Sequence, residues 1–208
     1  MQSSGPDPHS PSIESITRHD DVDLDNLCWV GEPPAAMPIA VVETDPSWPA
    51  QFDELADRIR GALGNRVLAI EHVGSTSVLD LPAKPIIDID LIVTDSSDEA
   101  AYVPALEQIG FVLQVREPGW HQHRLMVATS PPANVHVFGP DSPEVIRHRM
   151  FRDWLRDHPD DRAVYTDAKL AAADESNAAG EAMPEYNLRK QPVIREILDR
   201  VFRAHGML

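Results

Sequence analysis

Cysteine is nearly absent. Cys28 stands alone in 208 residues, so the chain cannot close a disulfide on itself, which suits a reducing compartment and points to the cytoplasm. Basic residues are also scarce: 18 Lys and Arg stand against 34 Asp and Glu, leaving a formal charge of -16. Long nucleic acid is gripped through many Lys and Arg contacts to phosphates, so such a partner is not expected. A small phosphate ligand held through a metal stays compatible with this charge. No apolar run approaches the roughly 18 residues that a transmembrane helix needs, so no membrane association is expected. The opening "MQSSGPDPHSPS" has neither the basic region nor the apolar core of a signal peptide.

What is present is ordinary for a globular domain: 42% hydrophobic and 25% charged residues. Residues 1–37 carry Pro, Ser and the acidic "HDDVDLDN", and are expected to form an unstructured tail, although Val22, Leu24, Leu27 and Trp29 offer a means of local docking. One folded domain is expected over 38–208, with a helical part over about 142–205. "PIAVVET" predicts a short strand and "DPSWP" a turn. Pro49 fits the first turn of a helix, and Phe52, Leu55, Ala56, Ile59 and Leu63 carry its apolar face. "RVLAIEHV" and "KPIIDIDLIV" read as strands, the second too uniformly apolar for an edge. Asp98 is placed to cap a helix over "EAAYVPALEQI". "FVLQVRE", "HRLMVAT" and "NVHVF" predict three further strands. Helices follow: "SPEVIRHRMFRDWLRDH", "PDDRAVYTDAKLAAA", and a last one from "PEYNLRKQPVIREIL", which Pro192 should kink or split. "AAADESNAAG" reads as a loop. Strands in the middle with helices on either side indicate an α+β fold.

The informative stretch is "EHVGSTSVLDLPAKPIIDIDLIV", residues 71–93. Residues i and i+2 of a strand share a face, so Asp88 and Asp90 project together while Ile87, Ile89 and Leu91 pack on the other side. Two like charges on an interior strand repel unless something binds them. A divalent cation such as Mg²⁺ (or Mn²⁺), which prefers hard oxygen ligands and bridges to phosphates, is a fitting partner. Upstream, Gly74 allows close approach of backbone to a ligand. Ser75, Thr76 and Ser77 can add hydroxyl donors for a phosphate, and Lys84 a point charge. Alone, Gly-Ser is a turn and Asp-x-Asp is common on surfaces; their order here, ahead of a buried-looking strand, favours a metal-phosphate site.

This order of Gly-Ser and Asp-h-Asp resembles the core signature of the nucleotidyltransferase superfamily, the DNA polymerase β-like fold. Four separated blocks, "DPSWPAQFDELADRI", "AIEHVGSTSVLDLPAKPIIDIDLIV", "NVHVF" and "YNLRKQPVIREIL", more closely resemble the GrpB family, from about residue 39 to 203. The resemblance implies a nucleotidyltransferase-like mixed sheet packed by helices, with C-terminal helices. It implies that Gly74 and Ser75 contact a nucleoside triphosphate and that Asp88 and Asp90 hold Mg²⁺. A nucleotidyl group would then pass to a small-molecule acceptor. The superfamily places a third carboxylate on a later strand, where this chain offers His136, as the GrpB pattern does. A neutral imidazole can act as a general base near pH 7 but is a poor ligand for Mg²⁺. The alternative is therefore a noncatalytic module of the same fold that binds a nucleotide or a CoA-like ligand. Domains of this type are fused to dephospho-CoA kinase in some bacteria, and this chain has no P-loop for such a kinase.

Other residues carry alternatives. His123 and Arg124 are candidates to line the pocket, Arg124 through its planar fork, or else to form a salt bridge. His121, His123 and His136 could instead make a three-histidine zinc site. Tyr186, Asn187 and Lys190 are pocket candidates by the resemblance; without it they read as a solvated helix face. Arg147, His148, Arg152 and Arg156 form a basic stripe that either faces solvent or meets an anionic substrate.

Overall fold

The structure is a computed structural model that describes residues 11–21, 27–33 and 35–208. Its centre is a six-stranded sheet. The strands are β1 (Cys28–Trp29), β2 (Val67–Val73), β3 (Ile87–Val93), β4 (Val112–Glu117), β5 (His123–Thr129) and β6 (Pro132–Phe138). Their spatial order is β1-β4-β5-β6-β3-β2. Every pairing is antiparallel except β3 with β6, which is parallel and aligns Asp88 with Asn134 and Asp90 with His136. The apolar β3 is thus interior, flanked by β6 and β2, which fits its composition.

The two faces of the sheet have different coverings. Ile87, Ile89 and Leu91 meet Leu55 and Ile59 of α2 (Trp48–Leu63) and Leu106 of α3 (Val103–Glu107) in the main core. Three C-terminal helices belong to the other side: α4 (Pro143–Asp157), α5 (Pro159–Ala179) and α6 (Met183–Ala204). Their own core joins Leu155, Tyr165, Ile197 and Val201 to Val78 and Leu81, which follow β2. No helix among the described residues is long and apolar enough to cross a membrane.

Several local expectations are corrected. "PIAVVET" forms no strand beyond a single bridge between Val42 and Ala83. Its backbone is satisfied elsewhere, because the Asn177 side chain both accepts from the Ile39 N–H at 2.7 Å and donates to the Ile39 carbonyl at 2.9 Å. The Asp98 side chain caps nothing, and the helix foreseen after it is a 3-10 turn (Glu99–Ala101) followed by the short α3. The stretch "AAADESNAA" is helical; α5 continues to Ala179 and stops at Gly180, which takes the left-handed cap conformation. The last helix is not split at Pro192. Proline removes one backbone bond, and the burial of Ile197, Leu198, Val201 and Phe202 along one side outweighs that loss.

Part of the N-terminal stretch is also ordered. Ile13–Thr17 form α1, capped by Ser12, whose side chain accepts from the Ser15 N–H at 3.1 Å. Ile16 is buried against Leu198 and Phe202. Arg147 donates to the carbonyls of Ile16 at 2.6 Å and Arg18 at 2.9 Å. The expectation of a tail without structure therefore fails for this segment, which is also held by His19 on Asp199 at 3.0 Å and by Arg195 on the Asp20 carbonyl at 2.7 Å. Cys28 and Trp29 pair with β4 as a short edge strand, while Val22 and Leu24 lie outside the described residues.

Candidate functional site

Strand parity places Asp88 and Asp90 on the face opposite the main core, with His136 beside them on β6. The side chain of Asp88 remains 30% exposed, while that of Asp90 is sealed at 0%. The Asn134 amide donates to Asp88 Oδ1 at 2.9 Å. His136 Nε2 lies 3.9 Å from the same oxygen. Burial pushes the Asp88 carboxyl up, but His136, Lys84 and the Asn134 bond together hold it below the usual carboxylate range.

The turn after β2 lies directly on this carboxylate. Gly74 has φ +66° and ψ -173°, a combination that side chains other than glycine's hydrogen hardly tolerate. A Cβ added there would meet Asp88 Cβ at 2.8 Å. Ser75–Ser77 then form a 3-10 turn. Of its hydroxyls, only Ser75 faces the lysines described below. Thr76 is buried and bonds His72 Nε2 at 3.0 Å, and Ser77 donates to the Gly74 carbonyl at 2.6 Å. Thr76 and Ser77 thus support the turn from within.

Asp90 has a partner that sequence reasoning placed elsewhere. His148 Nδ1, on α4, lies 2.9 Å from Asp90 Oδ2 and 3.1 Å from Oδ1. Burial pulls the imidazole down, yet Asp90, then Glu144 and Asp88, raise it to about 9. It is therefore an imidazolium at neutral pH, and it supplies beside the acidic pair the positive charge that a cation would supply. The basic stripe on α4 is engaged by the protein itself, although Arg156 at its end stays exposed. Arg147 holds α1, Arg152 donates to Glu71 and the His72 carbonyl at 3.0 Å each, and Arg156 donates to the Ser77 carbonyl at 2.8 Å. These contacts fasten α4 to the sheet and to the turn after β2.

His136 heads a chain of imidazoles. Its Nδ1 lies 3.0 Å from His123 Nε2, and His123 Nδ1 lies 2.7 Å from Glu117. Burial, opposed by Glu117, lowers His123 to about 4, so it is neutral. A neutral His123 that donates Nδ1–H to Glu117 must accept at Nε2. His136 then donates from Nδ1, and its Nε2 is the nitrogen turned toward Asp88. The three-histidine zinc arrangement is not found. Among the described residues no group of three or more His, Cys, Asp or Glu is placed to hold a metal, and His121 faces Asp20 at 3.7 Å.

Arg124 is on the wrong face. Neighbours on a strand point to opposite sides, so His123 and Arg124 cannot both line one pocket. Arg124 is 6% exposed and donates to Glu99 at 2.6 Å, which also takes two bonds from Arg116 at 2.7 Å. Asn187 is likewise not brought in; it is exposed on α6, while Tyr186 and Lys190, four apart, are buried.

Lys84 and Lys190 both lie over the Tyr186 ring, at 5.0 and 4.2 Å from its centroid. Lys84 also donates to the Met183 sulfur at 2.6 Å. Lys169 on α5, which sequence reasoning missed, donates to Ser75 Oγ at 3.2 Å and to the Pro82 carbonyl, and lies 4.8 Å over the Tyr165 ring. Burial lowers all three amines, Lys169 and Lys190 to about 7. A signal for Lys169 exists in the sequence: "YTDAK" and "YNLRK" repeat Tyr-x-x-x-Lys in consecutive helices.

Comparison with known proteins agrees with this architecture. A UPF0157 protein of Halalkalibacterium halodurans is 45% identical over 172 residues, covering 82% of this chain and 87% of that one. A dephospho-CoA kinase of Mycolicibacterium paratuberculosis is 32% identical over 197 residues, which cover 81% of this chain but only 47% of the kinase. The crystal structure of the conserved protein GrpB from Enterococcus faecalis superposes with a TM-score of 0.65 at 28% identity, over 78% of this chain and 99% of that one. The profile of the family described as GrpB protein matches residues 38–200, and the chain belongs to the GrpB family.

Proposed function

We propose that the chain is a nucleotidyltransferase-like enzyme that uses Mg²⁺ and a nucleoside triphosphate to transfer a nucleotidyl group to a small-molecule acceptor. One observation carries the reading: the glycine turn at Gly74 packs on Asp88, and Asp88, Asp90 and His136 share one face across the parallel pair β3–β6. Asp88 and Asp90 are hard-oxygen donors suited to Mg²⁺, and an ion held by both would take the place of the His148 imidazolium at Asp90. Bound there, the ion would neutralise charge on the phosphates.

The remaining chemistry belongs to side chains. The acceptor hydroxyl oxygen attacks the α-phosphorus, the bond to the bridging oxygen breaks, and pyrophosphate leaves. The hydroxyl proton passes to His136 Nε2, the ring nitrogen not engaged by His123. The imidazolium so formed faces Asp88 within ion-pair range.

A second reading, a noncatalytic module that binds a nucleotide or a CoA-like ligand, is favoured by one feature: both oxygens of Asp90 are already engaged by His148. Calorimetric titration of ATP, GTP, CTP and UTP, with and without Mg²⁺, tests the site. Binding that requires Mg²⁺ and is lost in Asp88→Asn is expected. Multiple-turnover pyrophosphate release that depends on Asp90 then selects the enzyme, and Mg²⁺-independent binding with no turnover selects the module.

A further inference from the structure

Lys84, Lys169 and Lys190 reach one region from three separate elements: the loop before β3, α5 and α6. Lys169 is 2% exposed and Lys190 9%. Such amines are normally matched by carboxylates, since an ammonium removed from water without a counter-charge is costly. Here the contacts are two tyrosine rings, a methionine sulfur, one hydroxyl and one carbonyl. The lysines also act against one another: the charge of Lys84 lowers Lys169 and Lys190, and that of Lys169 lowers Lys190. Asp88 is the carboxylate whose charge supports Lys84 and Lys190, and it belongs to the acidic pair.

We propose that Lys84, Lys169 and Lys190 form a subsite for a linear chain of two or more phosphates, adjoining Ser75 and Asp88. The shared ring of Tyr186 sets the Lys84 and Lys190 ammonium groups at most about 9 Å apart, and Lys169 is tied to Ser75. A lone carboxylate or orthophosphate brings its charge to one centre. Three amines from three elements match an anion whose charge is spread over several centres. The subsite stands on the lysines alone; naming that anion as the tail of a nucleoside triphosphate rests on the proposed nucleotidyl transfer.

The test is calorimetry on the full chain without divalent metal, using tripolyphosphate, pyrophosphate and orthophosphate as titrants. Tripolyphosphate is expected to bind tighter than pyrophosphate, and both tighter than orthophosphate. Lys190→Met and Lys169→Gln should each weaken tripolyphosphate by roughly tenfold or more, the worth of a charge-assisted hydrogen bond. Asp88→Asn should bind it at least as well as the natural chain, because a competing negative charge is gone. Thermal melting adds a readout that a structural role would move the other way: ligand-free Lys190→Met should melt at or above the natural chain. Should that variant not fold, Lys84→Gln carries the same affinity measurement. Equal affinity for tripolyphosphate and orthophosphate, or lysine variants that bind tripolyphosphate unchanged, would overturn the subsite. Loss of nucleotidyl transfer with lysine-dependent tripolyphosphate binding intact would instead overturn only the reading of the reaction.

Discussion

His148 Nδ1 lies within 3.1 Å of both carboxylate oxygens of Asp90, a residue with no exposed surface of its own. The contact joins α4 to β3 at the acidic pair. Removing the imidazole would leave a sealed carboxylate without its counter-charge. His148→Ala should lower unfolding stability by about 3 kcal/mol, read from urea denaturation at neutral pH.

The same pair sets an alkaline limit. The folded-state value of His148 is raised to about 9, above its ordinary value of 6.5. Its contribution is therefore complete below about 6.5 and disappears as pH rises through about 9. Melting temperature should fall over that interval, and His148→Gln should flatten the fall. An equally steep decline in the variant would assign it to other groups.

Acid acts through different residues. His72 and His123 are both held to about 4 by burial, so the unfolded chain takes up protons at these positions before the folded one does. Stability should decline as pH drops from about 6.5 to about 4. His123→Gln should remove part of this acid sensitivity. It should also slow any turnover at neutral pH, because His136 loses the neighbour that fixes its proton on Nδ1.

Gly74→Ala is expected to be severe for a single methyl group. The backbone angles there cost a side chain about 1–3 kcal/mol, and the new Cβ would press on Asp88. Equilibrium unfolding should show at least that loss. The Mg²⁺-dependent nucleotide binding proposed for the site should weaken as well, since Asp88 must shift.

Arg124→Ala provides the contrast. Arg124 is buried on the opposite face, with Glu99 and two carbonyls as partners. Its loss should cost roughly 2–3 kcal/mol of stability and leave nucleotide affinity within twofold. A large affinity loss at unchanged stability would return Arg124 to the pocket.

Strand periodicity makes the acidic pair legible: Ile87, Ile89 and Leu91 have to pack, so Asp88 and Asp90 have to face the other way. The same rule, applied to the adjacent residues His123 and Arg124, is enough to put them on opposite faces of their strand. His148 is hidden because a helix face gives no hint of what it covers, and a histidine among arginines reads as surface charge. Lys169 shows only through the Tyr-x-x-x-Lys pattern it shares with Lys190, 21 residues away along the chain. The docking of α1 is illegible for a third reason: it depends on Arg147 meeting main-chain carbonyls, which no side-chain pattern announces.

The parallel pairing of β3 with β6 has a consequence for how the site comes into being. Asp88 and Asp90 lie on one of these strands, Asn134 and His136 on the other, with β4 and β5 between them in sequence. Parallel neighbours need a long connection, and distant pairings form only after the intervening chain has been brought into place. No contiguous fragment that ends before β6 can hold the carboxylates and His136 together. A chain still emerging from the ribosome therefore presents its acidic pair without the imidazole, and acquires a complete constellation only when the sheet closes around it.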